Sequence, residues 1–306
     1  MAKRLLLGPI MILLLMGVVV GDQWISRQPL PESLRSLSHS IFGSGSSGNW
    51  PPGVLVFALV ALLGVLAARE LAGILADKGI LASKRISTFA AVLGLLVSCC
   101  VPTSAGAADA VAVVSLSAMI VLAVSIVFFA RHRTVEGVVA ATGGALLAYV
   151  YLGLMFGFLL AIRRDHSVQA LLWVVMVTKA CDIGAYFTGK AIGRNKLIPW
   201  LSPGKTWEGL FGGMTLSVVA GVLGWRMVGD SLAHPPGILA FGAAAGLFGL
   251  VGQAGDLVES VLKRDAGIKD SGHVIPGFGG ILDVIDSPLL VGPLAYWWLR
   301  WVDHFG

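Results

Sequence analysis

The residues able to do chemistry gather in two polar stretches of the C-terminal half. One runs from Asp256-Leu-Val-Glu-Ser260 through Lys263-Arg264-Asp265 and Lys269-Asp270 to Pro276-Gly-Phe-Gly-Gly280 and Asp283-Val-Ile-Asp286. The other runs from Lys179-Ala-Cys-Asp182-Ile-Gly-Ala-Tyr186 through Lys190, Arg194 and Lys196 to Ser202-Pro-Gly-Lys205-Thr-Trp-Glu208. Asp256, Asp283 and Asp286 each lie beside or within an apolar block, where an unpaired carboxylate costs ~2.5–3.5 kcal/mol on insertion scales. Asp283 and Asp286 are three apart, so on a helix they share a face, and they repel each other unless a cation lies between. Oxygen ligands with no His or Cys beside them suit a hard ion, Mg²⁺ ahead of Ca²⁺ or Mn²⁺. The alternative is neutralisation of the carboxylates by neighbouring Lys or Arg. Lys263, Arg264 and Lys269 follow Asp256 on a segment that ends in a Gly-rich turn, whose backbone N–H groups can face a phosphate. A helix starting near Ile281 would add its positive dipole end. Acidic ligands, fixed cations and a Gly-rich turn are together what phosphoryl or nucleotidyl transfer requires. On its own, Lys263-Arg264 reads equally well as a charge pair at a membrane face.

Composition says which elements must position these residues. Of 306 residues, 56% are apolar and 13% are charged, with a mean hydropathy of +0.85; a soluble domain carries about 25% charged residues. Disorder, a coiled coil and a soluble enzyme fold are excluded. The expected fold class is all-α, a polytopic integral membrane protein with about nine transmembrane helices, because apolar blocks of about 20 residues span a ~30 Å hydrocarbon core. The blocks fall at 4–22, 53–76, 87–105, 110–130, 135–162, 168–189, 208–228, 237–258 and 281–302. The first is read as a retained helix, since it ends Val-Val-Val-Gly-Asp without a small-x-small cleavage pattern. Frequent Gly and Ala inside the blocks are expected to let helices approach closely. Residues 43–53 read as a Gly/Ser/Pro loop. Cys99, Cys100 and Cys181 show no metal spacing and no disulfide framework.

The net charge of +5 is a matter of topology rather than of nucleic-acid binding, for no aromatic-and-basic platform is present. Alternating the blocks across the membrane puts Lys3, Arg4, Lys78, Lys84, Arg85, Arg131, Arg133, Lys190, Arg194, Lys196, Lys205, Lys263, Arg264 and Lys269 on one side. Only Arg27, Arg35, Arg163, Arg164 and Arg300 fall on the other. The N-terminus is therefore expected in the cytoplasm and the C-terminus outside. Segments 189–207 and 259–280 then share the cytoplasmic face, where they are able to build one site.

Residues 260–286 resemble the signature of the phosphatidate cytidylyltransferase (CDP-diacylglycerol synthase) family. That pattern runs Ser-x-apolar-Lys-Arg, four residues, Lys-Asp, a Pro-x-His-Gly-Gly turn and Asp-Arg-apolar-Asp. Ser260, Lys263, Arg264, Lys269, Asp270, Pro276, Gly279, Gly280, Asp283 and Asp286 match it at the right spacings. The stretch from Asp182 through Tyr186 and Ser202 to Glu208 is similar to the family as well, so the resemblance covers about residues 178–290. Two positions depart: Phe278 stands where the family has His, and Val284 where it has Arg. The turn is then expected to act through its backbone, with Phe278 facing lipid and His273 dispensable.

The resemblance implies transfer of CMP from CTP to phosphatidate, giving CDP-diacylglycerol and pyrophosphate, in a bacterial inner membrane and by a homodimer. It implies Mg²⁺ on Asp256, Asp283 and Asp286, and catalytic roles for Lys263, Arg264, Lys269 and Asp270. Ser260, Lys205, Gly279, Gly280, Asp182, Tyr186 and Ser202 would bind substrate or shape its site. Residues 1–170 would form an N-terminal set of membrane helices, and 171–306 the catalytic region. Alternatives are a cytidylyltransferase or phosphotransferase acting on another lipid phosphate, and a transporter. The latter is disfavoured by the absence of repeat symmetry.

Overall fold

The structure is a computed structural model, and it describes residues 2–33, 48–100, 106–131, 135–272 and 279–305. Apolar segments form helices here because in hydrocarbon every backbone N–H and C=O has to be satisfied within its own segment. The helices are α1 (Ala2–Ile25), α2 (Val54–Asp77), α3 (Lys84–Cys100), α4 (Ala107–Ala130), α5 (Val138–Leu147), α6 (Met155–Asp165), α7 (Val168–Ile192), α8 (Trp207–Gly229), α9 (Ile238–Asp265) and α10 (Leu282–Phe305). A π-helical stretch, Ala148–Leu154, joins α5 to α6. Each of the nine apolar blocks thus corresponds to a helical stretch. Among the described residues, six of these are long and apolar enough to cross a membrane: Val54–Asp77, Ala108–Ala130, Val138–Asp165, Val168–Ile192, Trp207–Gly229 and Ile238–Asp265. This is the make-up of an integral membrane protein.

The all-helix expectation needs one amendment. Lys196–Ile198 (β1) and Ser202–Thr206 (β2) pair antiparallel, with Lys196 opposite Thr206 and Ile198 opposite Ser202. Strands of three and five residues are too short to show a period in sequence. Their reality rests on a tight turn through Pro199-Trp200, closed by Leu201 N–H donating to Ile198 O at 3.2 Å.

The chain divides into two compact units. One comprises Met1–Asp165 with Ser271–Ile281, the other His166–Asp270 with Leu282–Gly306. In the first unit a buried clasp ties the end of α1 to the start of α2 and to α6. Asp22 accepts the Arg163 Nε–H at 2.7 Å, the Gly53 N–H at 3.0 Å and the Leu55 N–H at 2.9 Å. In the same unit α3 packs backbone-to-backbone on the π stretch: a Cβ on Gly94 would lie 2.7 Å from Tyr149 O and 2.9 Å from Gly153 Cα. This is the close approach that small residues were expected to permit.

In the second unit α7, α8, α9 and α10 surround an aromatic core. The Trp173 ring lies 5.1 Å from Phe241, 5.6 Å from Phe248 and 5.5 Å from Trp298. Helix starts carry side-chain caps: Ser167 Oγ accepts the Ala170 N–H, and Thr206 Oγ1 accepts the Gly209 N–H. Helix α9 runs seven residues beyond its apolar block, because nothing between Asp256 and Asp265 breaks it. It stops at Gly267 (φ 72°), where Gly267 N–H bonds Arg264 O and Ile268 N–H bonds Lys263 O, both at 3.0 Å. This is a Schellman stop, for which glycine's tolerance of positive φ is required.

Candidate active site

Because α9 stays helical to Asp265, Asp256, Glu259, Ser260 and Lys263 stack on one face of it at i, i+3, i+4 and i+7 spacing. The first two turns of α10 bring Asp283 and Asp286, and α9 packs against α10. The structure groups Asp256, Glu259 and Asp286, each of which offers one carboxylate oxygen within 4.8 Å of those of the other two. Asp283 binds Lys263 instead: Lys263 Nζ lies 2.5 Å from Asp283 Oδ1 and 2.6 Å from Glu259 Oε2. Lys263 therefore joins the cluster to Asp283.

Other polar groups bracket the carboxylates. Lys205, carried in by β2, lies 3.0 Å from Asp256 Oδ2 and donates to Gln253 O at 3.1 Å. Ser260 Oγ–H donates to Asp256 Oδ1 at 3.4 Å. Asp286 Oδ1 accepts the Ser287 N–H at 2.6 Å and the Ser287 Oγ–H at 3.2 Å. A second layer runs from α7. Asp182 accepts from Gln253 Nε2 at 2.9 Å and from Lys179 Nζ at 3.1 Å, and Lys179 also donates to Val284 O at 3.1 Å. Lys179 thus reaches the backbone at a position where the resembled family carries Arg.

The remaining expected site residues sit as follows. Arg264 donates from Nε to Leu201 O at 3.5 Å and from Nη1 to Ile268 O at 3.2 Å, which ties the hairpin turn to the end of α9. Lys269 and Asp270 are exposed just beyond that end. Tyr186 is exposed on α7, its ring 5.4 Å from Phe187 and 5.8 Å from Lys190 Nζ. Ser202 opens β2. Gly279 and Gly280 belong to the other unit, where Gly280 lies against Glu70 of α2. His273, Pro276, Gly277 and Phe278 lie outside the described residues.

The donor set has the chemistry of a hard-cation site. Two unit charges 4.8 Å apart repel by about 3 kcal/mol at an effective dielectric constant of 20, so three ionised carboxylates at this spacing call for added positive charge. Glu259 is 1% exposed, and its Oε1 has no hydrogen-bond partner among the described residues. A buried acceptor left unpaired is costly, and a cation shared with Asp256 and Asp286 would satisfy it. The cluster can hold a metal ion with oxygen ligands only. Lys179 is legible in the sequence among the polar residues of its stretch, without a role, and Glu259, Gln253 and Glu70 carry none there. Glu259 alone had a readable signal: it lies three residues after Asp256, the same spacing that pairs Asp283 with Asp286.

The cytidylyltransferase family profile matches residues 45–302. The chain is 38% identical over 159 residues to a phosphatidate cytidylyltransferase of Bacillus subtilis, covering 51% of this chain and 58% of that protein. It is 41% identical over 122 residues to one of Haemophilus influenzae, covering 40% and 42% respectively. It is 40% identical over 131 residues to the uncharacterized protein YnbB of Escherichia coli, covering 43% and 42%. The chain spans about half the length of the curated relatives it matches. With a profile match across most of its length, including every residue of the carboxylate cluster, the chain belongs to the cytidylyltransferase family.

Proposed function

We propose that this protein transfers CMP from CTP to phosphatidate, producing CDP-diacylglycerol and pyrophosphate. The observation that carries the reading is the Asp256–Glu259–Asp286 cluster, in which Glu259 and Asp286 are buried and Asp256 half-buried, with Lys205 and Lys263 bonded to its edges. In the reaction an oxygen of the phosphatidate phosphate attacks the α-phosphorus of CTP. The new P–O bond forms as the bond from the α-phosphorus to the α,β-bridging oxygen breaks, and the electron pair leaves with pyrophosphate. The attacking phosphate is already ionised at neutral pH, so no general base is needed. Mg²⁺, when bound by Asp256, Glu259 and Asp286, would supply charge neutralisation between the two anionic substrates. Lys205 and Lys263 would turn toward the triphosphate as it enters, and Arg264 and Lys269 would add positive charge for the leaving pyrophosphate. Asp283 would hold Lys263 in place. Ser260, Asp182 and Ser202 would shape the pocket around these groups, Tyr186 would lie at its lipid side, and Asp270 would flank Lys269.

The same reading has nine membrane crossings, with the N-terminus and the site on the cytoplasmic side of a bacterial inner membrane. The loop charges support it. Residues 171–306 would carry catalysis, 1–170 would form the accompanying membrane helices, and two copies would assemble as a homodimer. The test is incubation of the purified protein with CTP, Mg²⁺ and phosphatidate, with separation of the lipid product. CDP-diacylglycerol and an equal amount of pyrophosphate are expected. A CMP adduct formed with another lipid phosphate, and none with phosphatidate, would overturn the substrate assignment.

A further inference from the structure

Helix α10 carries Pro288 just beyond Asp286. Proline has no N–H, so the carbonyl one helical turn back, that of Val284, loses its donor inside the helix. In a membrane helix such a carbonyl has to be satisfied by a neighbouring element, and here the donor comes from α7: Lys179 Nζ donates to Val284 O at 3.1 Å. Lys179 is a cation in a helix long and apolar enough to span a membrane, set among the buried Val177, Thr178 and Cys181. Its second bond, to Asp182 Oδ2 at 3.1 Å, anchors the ammonium to α7 itself. Asp182 is held in turn at its other oxygen, Oδ1, by Gln253 Nε2 of α9 at 2.9 Å. Helix α9 also meets α10 directly, for a Cβ on Gly255 would lie 2.6 Å from Asp286 O. The first two turns of α10 are thus gripped at Val284 by α7 and at Asp286 by α9, all within one compact unit.

We infer that Lys179 is a positioning residue: it latches α10 to α7 through the carbonyl that Pro288 frees, and so holds Asp286 facing Asp256 and Glu259 for the metal. This rests on the metal-dependent reading above. Without the latch Val284 O is left unpaired, which is costly away from water. The helix regains a partner for it only by turning or bending at Pro288, and either movement carries Asp286 along. Position and charge act with opposite signs here. An ammonium repels a divalent cation, so a lysine acting by charge alone would loosen the metal, and its removal would tighten binding. A lysine acting by position orients a ligand, and its removal weakens binding.

Calorimetric titration of the full-length protein in detergent with Mn²⁺ and no substrates tests this. It is run on wild type, Lys179→Met, Pro288→Ala and the double variant, with thermal midpoints measured alongside. Methionine keeps most of the lysine stem and removes its donors, and alanine at 288 restores an N–H for Val284 O. Lys179→Met is expected to weaken Mn²⁺ binding about tenfold or more, the usual effect of removing a group that orients a metal ligand. In the Pro288→Ala background the same substitution should cost no more than about threefold, because the helix then satisfies its own carbonyl and the two sites are coupled. Mn²⁺ binding by folded Lys179→Met that equals or exceeds wild type would overturn the inference, and so would an equal loss in both backgrounds. If Lys179→Met does not fold, a folded double variant supports the latch and an unfolded one overturns it. A wild type that binds no Mn²⁺ overturns the metal reading instead. The latch is then decided by the midpoints: Lys179→Met should lower them markedly less with alanine at 288 than with proline, and equal falls overturn it.

Discussion

Lys263 is the residue on which the site's electrostatics turn. It touches Glu259 and Asp283 at once, so the cluster and the neighbouring carboxylate share one positive charge. That arrangement separates the acidic residues by role. Asp256, Glu259 and Asp286 face one another, whereas Asp283 faces the lysine. Removing one ligand from a divalent site weakens the ion and leaves phosphate charge uncompensated, an effect of several kcal/mol. Asp256→Asn and Asp286→Asn are therefore expected to lower turnover by 10²-fold or more, and Glu259→Gln to weaken Mn²⁺ binding at least tenfold in a calorimetric titration without substrates. Mn²⁺ binding by folded Glu259→Gln equal to wild type would remove Glu259 from the ligand set. From sequence, Asp256, Asp283 and Asp286 were legible as costly carboxylates beside apolar blocks, and Lys263 as their nearby cation. The exchange of Glu259 for Asp283 within the cluster was not, because it depends on how α9 rotates against α10. Gln253 was not legible either, and Lys179 was legible as a polar residue of its stretch but not by its contact: the partners Asp182 of Gln253 and Val284 of Lys179 lie 71 and 105 residues away in the chain.

At the scale of elements, hydropathy located α1 to α10 among the described residues, since block length and apolarity are properties of contiguous residues. What it missed were the ends and the exceptions. The extension of α9 to Asp265 puts Glu259 and Lys263 on a helix face rather than in a loop, and it follows from the lack of a breaker before Gly267. The β1–β2 hairpin escaped notice because its strands are too short for a period. Yet it is what delivers Lys205 to Asp256, and Arg264 fixes its turn to α9. Glycine's role as a spacer was readable in general, but which glycines touch was not. Gly94 and Gly153 meet across two elements nearly sixty residues apart. A side chain at Gly94 must push α3 off the π stretch, an overpacking that costs about 1–3 kcal/mol. Gly94→Val is expected to lower the thermal midpoint of the detergent-solubilised protein by several degrees, whereas Gly73→Val, where nothing lies within 4 Å of an added Cβ, should leave it nearly unchanged. Equal midpoints for the two variants would contradict the close-packing account.

At the scale of the whole molecule, the resemblance over about residues 178–290 and the profile match over 45–302 point to one family. The part of the chain before the signature was readable only as membrane helices. Glu70 shows why: it stands beside Arg69 inside an apolar block, and no local pattern announces its partners at Ser271 and Ile281. Topology is the molecular-scale consequence of the loop charges. Single cysteines introduced at 196 and 269 should react with a membrane-impermeant maleimide in inside-out vesicles, not in right-side-out ones, and the reverse pattern would place the site on the wrong side for CTP. The central claim, that the cluster directs attack on the α-phosphorus of CTP, is tested most directly by following the label. With [α-³²P]CTP, Mg²⁺ and phosphatidate, wild type should move the label into CDP-diacylglycerol, and with [γ-³²P]CTP into pyrophosphate only, both signals falling at least 10²-fold in Asp256→Asn. Label from the γ-position in the lipid, or undiminished transfer by folded Asp256→Asn, would contradict it.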